Sequence, residues 1–375
     1  MTTTVKRHAL VPVLLALLHM GSYAQTPEQF SVATLNIDGL PQKVLVLKVN
    51  PDGPGAAGTA RIGKYLVQKG YDLVCTQEDF NFHDVLLTWM EDDYANDEWS
   101  GDVGIDGHSI DLLHLQNHQF ECDGLVSFWK KDIEVTSAVR TPWKAAFGKF
   151  SHANDEMVAK GFRRYEVALP SGLQLQVYNM HMDASDDLDE ANGIDTKDKE
   201  ARMAQWCQLR DDILNHIDDR PIIVVGDMNS LYGRDDVKTR FIDAIDATGL
   251  ATVSDVWVEQ CNGGEYPADR DASWVLGESL DKILYINPTN GNHIKATSYS
   301  IDKEGYVYNG MPLGDHFPVV ATFETERKST TDISDVQRSS FNVEHYNLQG
   351  QRISQPSRGI SIEHQGAVVV KKLNK

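Results

Sequence analysis

The sequence has few cysteines, few basic residues and, after residue 24, no apolar run long enough to span a membrane. Its 375 residues hold four cysteines, Cys75, Cys122, Cys207 and Cys261, without a Cys-x-x-Cys pair. That spacing argues against a structural zinc site. Lysine and arginine total 35 against 55 aspartates and glutamates, a formal net charge of -20, and no Lys/Arg-rich stripe is present. This charge disfavours tight, non-specific nucleic-acid binding without excluding nucleic acid as a substrate.

The first 24 residues have the pattern of a secretory signal peptide. Two basic residues at positions 6 and 7 precede an apolar run over 9–20, and the segment ends in Ser22-Tyr23-Ala24. The run is too short for a comfortable membrane span, so we expect cleavage after Ala24 and a secreted or cell-surface protein. Export would permit disulfides in any of three pairings, and the alternative is that the cysteines are buried free thiols.

Apolar runs that end in polar clusters dominate the rest of the chain. They predict strands at residues 30–37, 71–76, 124–129, 162–169, 174–180, 221–225, 280–286 and 319–323, and helical spacing predicts helices at 59–69 and 199–217. Gly70 follows the first helix as a C-cap, and residues 80–120 have no clear pattern. Strands with few helices predict an α+β fold, a four-layer α/β/β/α sandwich of two packed mixed sheets with outer helices.

Changes of composition mark the domain boundaries. After the signal peptide at 1–24, we expect one main domain over 25–325 and a linker rich in Ser, Thr and charge over 326–342. Residues 343–375 are expected to form a small C-terminal β appendage, either a sorting or attachment tail or an accessory module without that role. No internal repeat is present.

Polar side chains recur where the apolar strands begin or end. They are Asn36, Glu78, His181, Asp227, Asn229, Asp281, Asp315 and His316. Since a strand core fixes what lies at its end, several such ends can converge on one rigid site. Carboxylate and amide oxygens are preferred by hard cations such as Mg²⁺, Mn²⁺ or Ca²⁺, and histidines transfer protons near neutral pH. The set predicts metal-assisted attack of water on a phosphate ester.

Each of these residues alone is a weak signal, because an aspartate at a strand end is more often a cap or turn former. The ordered set is more specific and resembles the endonuclease/exonuclease/phosphatase superfamily, which has the deoxyribonuclease I-like fold. The resemblance rests on Leu35-Asn36, Gln77-Glu78, Asn179-Met180-His181, Gly226-Asp227-Met228-Asn229, Leu280-Asp281-Lys282-Ile283 and Gly314-Asp315-His316-Phe317-Pro318-Val319. The last motif usually reads Ser-Asp-His, so Gly314 lacks one hydroxyl.

The resemblance implies that residues 25–325 are a catalytic domain with a metal and a base. Asn36 and Glu78 would hold the metal, which is Mg²⁺ or else Mn²⁺ or Ca²⁺, with Asp315 contributing nearby. His316 would be the general base that activates water, and Asp281 would orient it.

The resemblance also implies how the phosphate is held. His181 would bind or protonate a phosphate oxygen, while Asp227 and Asn229 would position the nucleophile and the phosphate. In-line displacement would then be catalysed mainly by positioning and charge neutralisation.

Three further runs are similar to the sphingomyelinase branch of the superfamily: Asn36-Ile37-Asp38-Gly39-Leu40-Pro41, Glu78-Asp79-Phe80-Asn81 and His181-Met182-Asp183-Ala184-Ser185. They imply a phosphodiesterase that acts on a lipid head group, and we expect the protein to be a monomer. The sequence shows no clear aromatic hairpin of the kind found in secreted sphingomyelinases, which argues against lipid. A deoxyribonuclease I-like nuclease, a phosphatase of phosphorylated inositols and a non-catalytic surface-binding protein are the alternatives.

Membrane contact is left open by the sequence. Trp143, Phe147 and Phe150 either insert at a lipid interface or pack beneath the rim of the active site.

Overall fold

The structure is a computed structural model that describes residues 28–326, apart from 45–46, 49, 104–119, 149–151 and 186–196, together with the backbone of short strands between 344 and 374. The expected signal peptide, nearly all of the expected linker and Phe150 lie outside the described residues. Within the described part of the chain, no helix has the length and apolar character needed to cross a membrane.

Strands and helices are numbered here in chain order. The strands are β1 (Gln29–Asn36), β2 (Lys43–Val44), β3 (Leu47–Lys48), β4 (Leu73–Gln77), β5 (Tyr94–Asn96), β6 (Val126–Lys130), β7 (Glu134–Pro142), β8 (Gly161–Ala168), β9 (Gln174–His181), β10 (Ile222–Asp227), β11 (Ala251–Asp255), β12 (Asp281–Pro288), β13 (His293–Ile301), β14 (Val307–Tyr308), β15 (Met311–Pro312), β16 (Val319–Glu326), β17 (Glu344–Tyr346), β18 (Arg352–Ile353), β19 (Gly359–Gln365) and β20 (Val368–Asn374). The helices are α1 (Gly55–Lys69), α2 (His83–Met90), α3 (Lys197–His216), α4 (Tyr232–Asp235), α5 (Asp243–Asp246), α6 (Val256–Cys261) and α7 (Arg270–Leu276).

Two six-stranded mixed sheets form the centre of the fold. The strand order is β13-β16-β1-β4-β6-β5 in the first sheet and β11-β12-β10-β9-β8-β7 in the second. β1 runs parallel to β4 and β10 runs parallel to β9, whereas β16 and β12 run antiparallel to β1 and β10. The last strands form a separate four-stranded antiparallel sheet in the order β18-β17-β19-β20.

The central strands are buried on both faces, which explains why they read as continuous apolar runs. In β10, Ile223 and Val225 belong to the cluster that joins the two sheets. Ile222 and Val224 point the other way and pack in one cluster with Trp206 of α3. This alternation gives β10 one face for each neighbouring layer.

The outer face of the first sheet is covered in the same way. Ala33 and Leu35 of β1 pack in one cluster with Ile62 and Leu66 of α1. Helices therefore lie outside both sheets, and the predicted α/β/β/α sandwich with a C-terminal β appendage is confirmed.

The sequence prediction omits the four edge strands of the two large sheets, β5, β7, β11 and β13. Edge strands bury less surface, and β7 has no fully buried residue along its length, so its apolar signal is weak. The prediction also starts the first helix four residues late, because α1 begins at Gly55 within a Pro/Gly-rich segment whose composition is typical of a loop. Its expected end is right, since Gly70 adopts the left-handed C-cap conformation.

The four cysteines are all free thiols. Cys75 and Cys122 are buried, and burial raises the pKa of each thiol to about 12. Of the two alternatives that the sequence leaves open, the structure shows free thiols, but Cys207 is half-buried and Cys261 is exposed, so the expectation of burial holds for only two of the four.

Candidate active site

The polar ends of the strands meet at one edge of the sandwich. β1 and β4 end at Asn36 and Gln77, and β9 and β10 end at His181 and Asp227. Parallel strands place their carboxyl ends at the same edge. β12 runs antiparallel and begins there, so Asp227 is paired across the sheet with His181 on one side and Asp281 on the other.

Asp227 is the centre of this edge. Its Oδ2 lies 3.1 Å from Asn36 Nδ2, 3.4 Å from His181 Nε2 and 3.7 Å from His316 Nε2. Its Oδ1 accepts a hydrogen bond from the backbone N–H of Asn229 at 3.1 Å. Side chains carried by both sheets thus converge on a single carboxylate.

Two glycines allow the close approaches that the site requires. A β-carbon on Gly226, whose φ is +148°, would lie 2.0 Å from the backbone oxygen of Met180, so a larger residue would push β10 away from β9. A β-carbon on Gly39 would lie 2.3 Å from the backbone oxygen of Glu78, which accepts the Gly39 N–H at 3.1 Å. This contact helps to hold Glu78 at a φ of +54°, an uncommon conformation for glutamate that the surrounding structure must fix.

His316 and Asp281 form a largely buried pair. Asp281 Oδ2 lies 2.8 Å from His316 Nδ1, and the two side chains are 5% and 18% exposed. Burial alone would lower the pKa of His316, but the carboxylates of Asp281 and Asp227 outweigh it and raise the pKa well above its usual value. The pair fixes hydrogen on Nδ1, so Nε2, the atom that faces Asp227, gains or loses the second proton, and the positive charge of a bound cation would favour the neutral form that can act as a base.

Lys160 is a residue of this edge that the sequence prediction omits. Its Nζ lies 3.2 Å from His181 Nε2 and forms an ion pair with Asp155. Burial opposes its charge, but the carboxylates of Asp155 and Glu78 raise the pKa of Lys160 above its usual value. Burial and this ammonium group together lower the pKa of His181 well below its usual value. His181 is therefore a neutral imidazole, which suits binding a phosphate oxygen better than protonating it.

Oxygen donors for a cation collect around Glu78. Asn36 Nδ2 donates to Glu78 Oε1 at 3.0 Å, and Asn36 Oδ1 accepts the backbone N–H of Asp38 at 3.0 Å. Burial, followed by the charges of Asp315 and Glu78, raises the pKa of Asp38 to about 7. The carboxylates of Asp38, Glu78 and Asp315 thus influence one another at one corner of the site. A divalent cation would neutralise their excess negative charge. The donor set fits a hard cation at the residues that the sequence predicts, Asn36, Glu78 and Asp315.

A second group of possible ligands overlaps the histidine pair. One ligand atom from each of Asp227, Asp281 and His316 lies within 4.8 Å of the others. The hydrogen bond between His316 and Asp281 accounts for this proximity without an ion. This hydrogen-bonded arrangement of the three residues is suited to proton transfer.

Aromatic residues support the site from below. Trp143 is 2% exposed, and its Nε1 donates to the backbone oxygen of His181 at 2.7 Å. The ring of Phe147 meets the ring of His152 edge-on, with the centroids 4.9 Å apart. Trp143 therefore packs beneath the rim and is not available for insertion into a lipid interface.

Asp183, two residues beyond His181, gives a stability prediction. It is fully buried, its Oδ2 accepts the backbone N–H of Phe147 at 2.8 Å, and burial followed by the charge of Asp155 raises its pKa from 3.8 to about 9. The folded chain therefore keeps a proton that the unfolded chain releases, so stability from this group is complete below the unfolded pKa and is lost as pH rises towards the folded one. Asp183→Asn keeps the acceptor and removes the charge, so it is expected to stabilise the fold by about 1–2 kcal/mol at alkaline pH.

Chemical unfolding between about pH 5 and about pH 9 measures this difference. The gain in the free energy of unfolding should shrink as pH falls, whereas Asp84→Asn, at an exposed position of α2, should follow the wild-type slope. An unchanged slope in Asp183→Asn would contradict the assignment of a buried, protonated carboxyl.

Solved structures of similar fold identify the fold class of this chain. An endonuclease/exonuclease/phosphatase from Bacteroides vulgatus is similar with a TM-score of 0.51 and 18% identity, over 80% of this chain and 100% of that one. The human nocturnin catalytic domain with bound sulfate anion has a TM-score of 0.51 and 17% identity, over 80% of this chain and 94% of that one. The chain has the endonuclease/exonuclease/phosphatase fold. The resemblance predicted from the six motifs is thereby confirmed, and these low identities are evidence for the fold alone.

Sequence relatives of this endonuclease/exonuclease/phosphatase-fold chain support one branch. Sphingomyelinases of Mycobacterium bovis and Mycobacterium tuberculosis are 27% identical over 298 residues, which are 78% of this chain and 52% of theirs. The chain therefore spans about half the length of these curated relatives. No protein-family model matches it.

Proposed function

We propose that this protein is a secreted, divalent-metal-dependent phosphodiesterase of the sphingomyelinase or phospholipase C type, acting as a monomer through water activated by His316. The observation that supports the proposal is the convergence on Asp227 of Asn36 from β1, His181 from β9 and His316 from the loop before β16. The export signal read from the first 24 residues supports the location.

His316 is the general base that removes a proton from water. Its Nε2 takes the proton, and Asp281 accepts the hydrogen on Nδ1 and stabilises the imidazolium that forms. The water oxygen forms a new bond to phosphorus as the ester bond on the opposite side breaks, and the leaving oxygen takes up a proton from water on its own side. Asp227 and Asn229, joined by the hydrogen bond at 3.1 Å, are placed to fix the water and the phosphate.

The phosphate binds on the cationic side of the same edge. The buried ammonium of Lys160 supplies a fixed positive charge, and neutral His181 would donate its ring N–H to a phosphate oxygen beside it. A divalent cation held at Asn36, Glu78 and Asp315 would neutralise charge on the phosphate oxygens. Each such electrostatic contact is worth about 10²–10³ in rate.

A lipid substrate is favoured by apolar side chains close to the site. α7 ends in Trp274, Val275 and Leu276, which are 46%, 86% and 51% exposed. Leu276 precedes Asp281 by five residues, and a chain of five residues spans at most about 18 Å. The exposed end of α7 therefore lies within that distance of the catalytic pair.

A second exposed apolar segment precedes His316. The hairpin formed by β14 and β15 carries Val307, Tyr308 and Met311, which are 40%, 48% and 68% exposed. Met311 precedes His316 by five residues, so the same reach applies. The sequence does not reveal this hairpin because Tyr308 is its single aromatic residue.

We call these two segments, Trp274–Leu276 and Val307–Met311, the apolar edge. Exposed apolar side chains that are grouped in this way mark contact with an apolar partner or surface. A phosphodiester presented at the surface of a bilayer fits the apolar edge, whereas the formal charge of -20 works against binding a polyanion.

Hydrolysis of three substrates with Mg²⁺ tests the proposal. The purified protein is expected to release a phosphorylated head group from sphingomyelin vesicles, to leave plasmid DNA and an inositol phosphate largely intact, and to lose activity with EDTA. Cleavage of DNA without cleavage of lipid would contradict the lipid assignment. Hydrolysis of none of the three would favour the non-catalytic alternative.

A matched pair of variants tests the role of the apolar edge. Val275→Ser combined with Leu276→Ser is expected to lower vesicle hydrolysis at least about tenfold, since each side chain loses apolar transfer free energy, and to spare a soluble nitrophenyl phosphodiester. Leu250→Ser is the control, because Leu250 is 52% exposed but adjoins the start of β11, which pairs with the end of β12 away from Asp281. Equal losses on vesicles and on the soluble substrate would contradict docking through this edge.

A further inference from the structure

A buried hydroxyl lies beside Gly314, the position at which this chain lacks one. A β-carbon added to Gly314 would lie 3.6 Å from Tyr306 Oη and 3.9 Å from Asp38 Cβ, which is ordinary contact distance. The phenol oxygen of Tyr306 thus occupies the side towards which a side chain at position 314 would point.

The ring of Tyr306 is held firmly in this place. It is 0% exposed and meets the ring of Tyr65 edge-on, with the centroids 5.1 Å apart, and the ring of Phe317 at 6.4 Å. Its backbone oxygen accepts the N–H of Leu313 at 3.2 Å, which ties it to the segment that leads to the catalytic histidine.

The hydroxyl of Tyr306 makes no hydrogen bond to any residue that the structure describes. Burial, followed by the charges of Asp315 and Asp38, raises the pKa of Tyr306 well above its usual value, so the group keeps its hydrogen in the neighbourhood of two carboxylates. An unpaired buried hydroxyl is costly, and phenylalanine would fill the same space without that cost. Its neighbour Tyr65 is different, because Tyr65 Oη donates to Asp302 Oδ2 at 2.7 Å.

We propose that Tyr306 is a positioning residue that donates a hydrogen bond to the carboxylate of Asp315 when the site binds its cation and substrate, replacing the hydroxyl that Gly314 lacks. This inference rests on the proposed phosphodiesterase function. Asp315 directly precedes His316, so its orientation affects both the cation corner and the base. The hydroxyl would act through this carboxylate without touching the substrate.

Tyr306→Phe removes a single oxygen and tests the proposal. Since the variant cannot donate a hydrogen bond to the charged carboxylate, kcat is expected to fall about tenfold to a hundredfold with little change in KM. The Mg²⁺ concentration for half-maximal activity is expected to rise. The Tm of the variant should equal or exceed that of the wild type, because the hydroxyl has no partner in the described structure.

Restoration of a hydroxyl from the other side separates this role from a general packing effect. Gly314→Ser in the Tyr306→Phe protein has room for its side chain and is expected to recover most of the kcat. Tyr65→Phe is the matched control, expected to lower Tm through loss of its bond to Asp302 and to leave kcat and the Mg²⁺ requirement unchanged.

Two results would overturn the proposal: an unchanged kcat and Mg²⁺ requirement in Tyr306→Phe, or a reduced kcat that Gly314→Ser does not restore. The rise in Tm on adding Mg²⁺ gives a readout that does not depend on turnover. If the wild-type protein hydrolyses no phosphodiester, the proposed function fails by itself. A smaller Mg²⁺-induced rise in Tyr306→Phe than in wild type would still support the role of the hydroxyl, and an equal rise would contradict it.

Discussion

Replacing His316 by alanine is expected to lower kcat about 10²–10⁴-fold on any phosphodiester that the protein hydrolyses. The reason is geometric, because His316 Nε2 points to the centre of the site while Asp281 holds Nδ1 at 2.8 Å. Removal of the imidazole leaves water without an acceptor for its proton. The cation corner around Glu78 is untouched, so the activity that remains should still require Mg²⁺.

Stability must be measured with this variant, because His316→Ala leaves Asp281 buried and without its partner, at a cost of about 1–3 kcal/mol. The kcat of the wild type and of the variant should therefore be measured at a temperature well below the Tm of both proteins. His293→Ala is the matched control. His293 lies at the start of β13, and its Nε2 pairs with the backbone oxygen of Pro288 at 2.8 Å, at the end of β12 remote from Asp281. If His316→Ala kept more than a tenth of the wild-type kcat, His316 would not be the base.

The strands that hold the site are predictable from sequence because they are buried on both faces. Ile222 to Val225 form one apolar run, and no alternation with polar residues confuses it with a surface strand. The polar residue that ends such a run is then conspicuous, as with Asp227. The same reasoning finds Asn36 at the end of β1 and His181 at the end of β9.

The edge strands and the contacts between distant loops are not predictable in this way. β7 alternates exposed and partly buried residues, and β13 has two fully buried residues among nine, Ile294 and Ala296, so the apolar signal of both strands is weak. The φ of +54° at Glu78 depends on Gly39 of another loop, and no local pattern in the sequence encodes that pairing. Such features follow from packing, which becomes visible only when the sheets are assembled.

Lys160 belongs to the site although it is neither an oxygen ligand nor a histidine, the residue types that the sequence prediction considers at strand ends. It stands directly before β8, a position equivalent to that of Asp281 at the start of β12, yet a lysine before a strand is usually solvated. Its burial depends on Asp155, which precedes it by five residues in an irregular segment. Cationic side chains at strand ends are therefore candidates of the same kind.

Lys160→Met is expected to lower kcat about 10²–10³-fold, because the variant loses a fixed positive charge 3.2 Å from His181 in a site that excludes most water. The variant also leaves the carboxylate of Asp155, 1% exposed, without its ion-pair partner. Breaking a buried pair in this way costs about 3–5 kcal/mol, so a drop in Tm is expected as well. The two effects must be separated before the loss of rate can be assigned to catalysis.

The double variant Lys160→Met/Asp155→Asn separates them. Asparagine keeps an acceptor for the backbone N–H of Ala184, which donates to Asp155 Oδ2 at 2.7 Å, and removes the unpaired charge. Most of the stability should therefore return, as measured by Tm, while kcat stays low, because the ammonium that faces His181 is still missing. Recovery of kcat together with Tm would mean that Lys160 serves only to balance Asp155. Recovery of Tm without recovery of kcat would mean that the positive charge of Lys160 acts on the phosphate. His181 cannot replace that charge because its imidazole is neutral.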